Sequence, residues 1–84
     1  MSSETRDKII GLVKYEMRIP DSRTLADSDR LVEDLGMDEL DLVEVVMKIE
    51  GMFNINIDDT DLKGVDTLGQ LIDLVEGKTT DADV

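Results

Sequence analysis

The chain has 84 residues, with 21 Asp and Glu against nine Lys and Arg, for a formal net charge of −12. Nucleic-acid phosphate and anionic lipid both repel so acidic a chain, and neither is an expected partner. The length allows one domain, and its core must come from Leu, Ile, Val and Met, because Tyr15 and Phe53 are the only aromatic residues. Cysteine is absent, which excludes disulfides and thiolate metal sites and suits a reducing compartment; histidine is absent too. The N-terminus has no apolar leader, and no run approaches the roughly 18 residues of a membrane span. The expectation is a soluble, cytoplasmic protein.

A first helix is predicted from about Ser3 to Arg18, capped by Ser2 or Ser3, with Ile9, Val13 and Met17 at helical spacing. Ile19-Pro20 should end it, since proline disfavours the α conformation in the residue before it. Residues 20 to 37 read as a long loop whose Leu25, Leu31, Val32 and Leu35 tack it to the core.

The second helix starts at Asp38, a good N-cap, with Asp41 placed to reach back as a capping box. It carries two apolar stripes. Leu42, Val45, Val46, Ile49 and Phe53 share one face at i, i+3, i+4, i+7 and i+11, while Leu40, Val43 and Met47 fall on the other. One stripe can serve the core. The other, flanked by Glu39, Asp41, Glu44 and Glu50, reads as a docking surface for a basic, partly apolar partner. The competing reading is that Leu40, Val43 and Met47 pack beneath the loop. Between Leu31 and Asp61 ten carboxylates accompany one cation, Lys48, whereas the first eighteen residues are nearly balanced. Charge gathered on one part of a domain suggests steering.

A short third helix is predicted over Asp58 to Lys63, closed by Gly64. The fourth opens at Asp66-Thr67 with a Thr67/Gln70 capping pair, presents Leu68, Leu71, Ile72 and Val75 to the core, and stops at Gly77. Residues 1–77 then form the domain and residues 78–84 a disordered polar tail. The chain is all-α: three main helices and a short one in a small four-helix bundle. The clusters Asp27–Asp29 and Asp58–Asp61 lack the mid-loop glycine and distal glutamate of an EF-hand, so no metal site is expected. With no His, no Cys and no paired carboxylates on a visible pocket wall, an enzyme is not expected either.

The run Glu33-Asp34-Leu35-Gly36-Met37-Asp38-Glu39-Leu40-Asp41 resembles the acyl carrier protein family. That family has an Asp-Ser-Leu tripeptide opening its second helix, after a loop ending in Leu-Gly and before an acidic, apolar helix. The similarity spans roughly residues 4 to 77. It implies a four-helix carrier domain, a monomer, read by synthases, acyltransferases and phosphopantetheinyl transferases that carry basic patches. On this resemblance the docking residues are Asp38, Leu40, Asp41, Val43, Glu44, Met47 and Glu50.

One residue departs from the pattern. The family's serine carries 4'-phosphopantetheine, and here Glu39 takes its place. A carboxylate would give only a hydrolysable acyl phosphate, and no Ser, Thr, Tyr or Cys lies between Leu31 and Asp59. The expected cofactor is therefore none, and 4'-phosphopantetheine would be expected only with serine at position 39. Glu39 then stabilises the helix start, or stands in for the phosphodiester anion, or replaces the serine of a working carrier. The leading functional reading is a carrier-type docking module of fatty-acid, polyketide or related thioester metabolism. The alternative is an acidic, non-carrier adaptor on the same fold.

Overall fold

The structure, a computed structural model, describes residues 2–83, with side chains detailed over 4–79. Four helices follow in order: α1 (Ser2–Met17), α2 (Glu39–Phe53), α3 (Asp59–Leu62) and α4 (Leu68–Asp83). α1 packs against both α2 and α4. Between them lies an aliphatic core: Ile9 and Val13 from α1, Val45, Val46 and Ile49 from α2, and Leu68, Leu71, Ile72 and Val75 from α4. Leu42 and Phe53 pack at its edge. Burying each such side chain contributes about 1.5–3 kcal/mol before conformational entropy is counted. No polar side chain is buried among the described residues. The all-α bundle expected from the periodicities is the fold observed.

The first helix ends by a different device from the expected proline. Arg18 turns to φ 57, its amide reaching Tyr15 O at 3.3 Å and the Ile19 amide reaching Lys14 O at 2.8 Å. These two bonds form a Schellman motif, with Ile19 folding back as its apolar member. Pro20 merely follows. A non-glycine residue in this left-handed conformation costs about 1–2 kcal/mol. The proposed caps at Ser2 or Ser3 lie outside the described side chains.

The loop between α1 and α2 is stitched to the start of α4. Leu68 and Gly69 donate their amides to Asp29 O and Asp27 O, both at 2.9 Å, and Leu31 donates to Asp66 O at 3.0 Å. Gln70 N bonds Thr67 Oγ1 at 3.2 Å while Gln70 Oε1 accepts from Thr67 N and Asp66 N. Every orphan amide at this helix start therefore has a partner. Asp27 also pairs with Arg6 of α1, so one loop residue ties α1 to α4. Leu25, Leu31 and Leu35 are buried as expected. Val32 is not: it is 60% exposed, because Leu31 and Leu35 sit four apart on the inner side of a turn and Val32 falls off that side. Met37, 1% exposed, supplies the missing apolar contact.

The predicted stop at Gly77 is also corrected. α4 runs through Gly77 to Asp83, where a stop at Gly77 was expected, and Val84 lies outside the described residues. An interior glycine costs only about 1 kcal/mol relative to alanine. Here Lys78 Nζ meets Asp61 Oδ2 of α3 at 3.0 Å, and the Thr79 hydroxyl donates to Glu76 O at 3.1 Å, both of which extend the helix.

Two glycines give a matched test. A Cβ on Gly69 would sit 2.9 Å from Asp27 Cβ and 3.2 Å from Asp27 O, whereas one on Gly51 would meet nothing within 4 Å. Gly69→Ala should lower unfolding free energy by about 1–2 kcal/mol despite alanine's better helix propensity, because the loop must lift away. Gly51→Ala should raise it by about 0.5–1 kcal/mol. Urea denaturation of the two variants beside the parent checks both signs.

Candidate functional site

The start of α2 is fixed from upstream. Leu31 to Leu35 form a near-helical turn, closed by Gly36 at φ 76, where Gly36 N meets Val32 O at 3.1 Å and Met37 N meets Leu31 O at 3.0 Å. Glycine takes this conformation without steric cost. Met37 then plugs the core and leaves Asp38 as N-cap, in extended backbone. Asp38 Oδ1 accepts from Asp41 N at 2.8 Å and Asp41 Oδ2 accepts from Asp38 N at 3.2 Å. The capping box read from the sequence is present. α3 repeats it with Asp58 and Asp61.

Glu39 is the first residue of α2 and is exposed. Its carboxylate lies in the positive end field of the helix, a stabilisation of about 0.3–1 kcal/mol. Leu40, Val43 and Met47 are 66%, 44% and 63% exposed, on the face of α2 away from Val45, Val46 and Ile49. The reading in which these three pack beneath the loop is therefore overturned. Each was legible from its angular position opposite the core stripe.

The carboxylates around this strip have distinct local duties. Asp38 and Asp41 serve the capping box. Glu50 points one oxygen at the Ile57 amide, 2.7 Å away, and so anchors the connection from α2 to α3. That oxygen is thereby committed inside the fold. Glu44 stays on the surface near Glu16 of α1 and Lys48. Lys48 Nζ bonds Glu16 Oε1 at 2.8 Å and lies 5.3 Å from the Tyr15 ring centroid. The one cation between Leu31 and Asp61 is thus turned towards α1. Nothing in the spacing of Lys48 announced this, because its partner lies 32 residues away.

The same contacts shift several carboxyls. The Lys48 ammonium holds Glu16 below its usual range, while the neighbouring Glu16 raises Glu44. Arg6 lowers Asp27, and Lys78, aided by the Asp58 cap, lowers Asp61. Among the described residues no group of three His, Cys, Asp or Glu side chains is placed to hold a metal ion. None of their helices is long and apolar enough to cross a membrane.

This bundle, with a capped acidic helix after a Leu-Gly turn, is the architecture of a small carrier domain. A family model described as a phosphopantetheine attachment site matches residues 7–75. The acyl carrier protein of Thermotoga maritima is 32% identical over 75 residues, covering 89% of this chain and 91% of that protein. Acyl carrier protein 1, chloroplastic, of Hordeum vulgare is 36% identical over 93% of this chain, which spans only 52% of that relative's length. The crystal structure of the Thermotoga maritima acyl carrier protein superposes with a TM-score of 0.76 at 27% identity, covering 94% of this chain and 95% of that one. The chain belongs to the acyl carrier protein family, whose members are carrier proteins and not enzymes.

The shifted carboxyls fix a pH profile. Glu44 is raised from its ordinary value of 4.5 by the neighbouring Glu16, so its contribution to stability grows as pH falls through its folded pKa. Glu16, Asp27 and Asp61 are depressed from 4.5, 3.8 and 3.8, so their contribution is present above those values and lost as pH falls through their lower folded pKa values. Thermal melts from pH 8 to 3 should therefore show stability rising first on acidification, as Glu44 takes up its proton, and falling at lower pH as Glu16, Asp27 and Asp61 lose their charge. A monotonic decline from pH 7 to 5 would contradict the assignment of Glu44.

Proposed function

We propose that this protein is a docking module of acyl-thioester metabolism that engages carrier-recognising enzymes through α2 and does not itself carry 4'-phosphopantetheine. The observation that carries this reading is the exposed strip Leu40, Val43 and Met47 on a helix whose carboxylates have no free cation among them. Desolvating three apolar side chains provides affinity, and Glu39 and Glu44 provide steering towards a basic patch. Asp38 and Asp41 contribute mainly by holding the helix start rigid.

The case against loading is chemical. The prosthetic arm needs a side-chain hydroxyl, and the residue after the Asp38 N-cap, where the family motif has serine, is Glu39. No hydroxyl-bearing side chain lies between Leu31 and Asp59, so the residues at this helix start do not fit the group. The exposed Glu39 carboxylate supplies an anion in the place where the phosphodiester of a loaded carrier would lie.

Incubation with coenzyme A and a broad-specificity phosphopantetheinyl transferase, followed by intact mass, tests the ancestry directly. The parent should stay unmodified and Glu39→Ser should gain one phosphopantetheine. A folded serine variant that resists several transferases would favour the adaptor reading.

Docking itself has an electrostatic signature. The association rate with an acyl-transferring or condensing enzyme of the family's pathways should fall steeply as salt rises from 0.05 to about 0.3 M, since exposed charges are screened over about 8–10 Å near 0.1–0.15 M. Glu44→Lys should slow association more than it speeds dissociation. A rate indifferent to both would remove α2 as the interface.

A further inference from the structure

A groove at the end of α1 shares no residue with the start of α2. It has a volume of about 770 Å³ and lies where the end of α1 and the following turn face α2. Lys14, Arg18 and Lys48 line it, together with Tyr15, Ile19 and Pro20. Three of nine cations thus converge on one depression of a chain whose acids outnumber its bases by 21 to nine. Two carboxylate residues are also in the lining. Glu16 is already paired with Lys48, and Asp21 meets Lys14 Nζ through its backbone carbonyl at 3.1 Å.

Arg18 is the informative member. It occupies a left-handed backbone position where glycine would sit without strain, and no ion pair or hydrogen bond among the described residues engages its guanidinium. A guanidinium fork matches the paired oxygens of phosphate. The groove is much larger than an inorganic anion needs and falls in the usual 300–1,000 Å³ range of small-molecule sites. Its remaining wall is a phenol ring, 76% exposed as a residue, beside an isoleucine and a proline, which suits a flat, weakly polar group. Carboxylates farther than about 8 Å are screened at physiological salt, and with Lys48 balanced by Glu16 the cations left to meet an anion are Lys14 and Arg18.

We propose that this groove binds a nucleoside phosphate at modest affinity, its phosphates held by Lys14 and Arg18 and its base laid along Ile19, Pro20 and the edge of Tyr15, with Lys48 kept on Glu16. The proposal is independent of whether α2 docks an enzyme. ADP, without divalent metal, is the probe, titrated into isotope-labelled protein and followed by amide and side-chain resonances. Residues 11 to 21 and Lys48 should shift together with one dissociation constant on the order of 1 mM.

Arg18→Gly is the decisive variant, because it removes the guanidinium while relieving the backbone. It should melt no lower than the parent yet bind ADP at least about tenfold more weakly. Three results would overturn the assignment: no localised shifts by about 10 mM ADP, an Arg18→Gly protein that binds as well as the parent, or pyrophosphate or adenosine alone binding as tightly as ADP.

Discussion

The seam between the long loop and the start of α4 is the constraint on which the rest of the molecule rests. A loop of this length would leave its backbone polar groups wet and its leucines unburied if it stood away from the helices. The Leu68 and Gly69 amides meet Asp29 O and Asp27 O, and the Leu31 amide meets Asp66 O. Each bond satisfies a loop group and a helix-start group at once. The Asp27–Arg6 pair carries the same seam to α1. With the loop held there, Leu25, Leu31, Leu35 and Met37 close the core, and the turn ending at Gly36 delivers Asp38 to the start of α2. The closeness of Gly69 to Asp27 shows how little room that seam leaves.

The acidity of the chain is organised by these contacts. Carboxylates that would otherwise crowd one another are placed where partial positive charge already exists: Asp38 with Asp41 and Asp58 with Asp61 at helix starts, and Glu50 on the Ile57 amide. Hydrogen bonds from backbone amides offset part of the mutual repulsion. Lys48 is drawn towards α1 by Glu16 and the Tyr15 ring, which leaves Glu39 and Glu44 beside the apolar strip without a cation. Lys48 thus lines the groove at the end of α1 while belonging to the helix that carries the exposed strip.

The family's fold and its attachment chemistry are separable in this chain. Aliphatic helix faces, caps and loop seams determine the bundle, and none of them requires a hydroxyl at position 39. Glutamate in the first turn of a helix is electrostatically favourable. The bundle therefore has no physical need for serine there, whereas phosphodiester attachment has an absolute one. This asymmetry is why the fold and the family of the chain do not depend on which residue stands at position 39.

The helices, their core stripes and the capping pairs at Asp38 and Thr67 were legible in the chain itself, because they depend on spacing within a few residues. The exposed strip was legible for the same reason: once Val45, Val46 and Ile49 face the core, helical geometry turns Leu40, Val43 and Met47 away from it. Only the tertiary structure decided what depends on contacts distant in sequence. Val32 faces solvent while Met37 is buried, Lys48 belongs to Glu16, Glu50 serves the Ile57 amide, and α4 passes through Gly77 with Lys78 bound to Asp61. Those outcomes follow from which partner packing brings within about 3 Å, the range at which a hydrogen bond or ion pair outweighs a local propensity below about 1 kcal/mol.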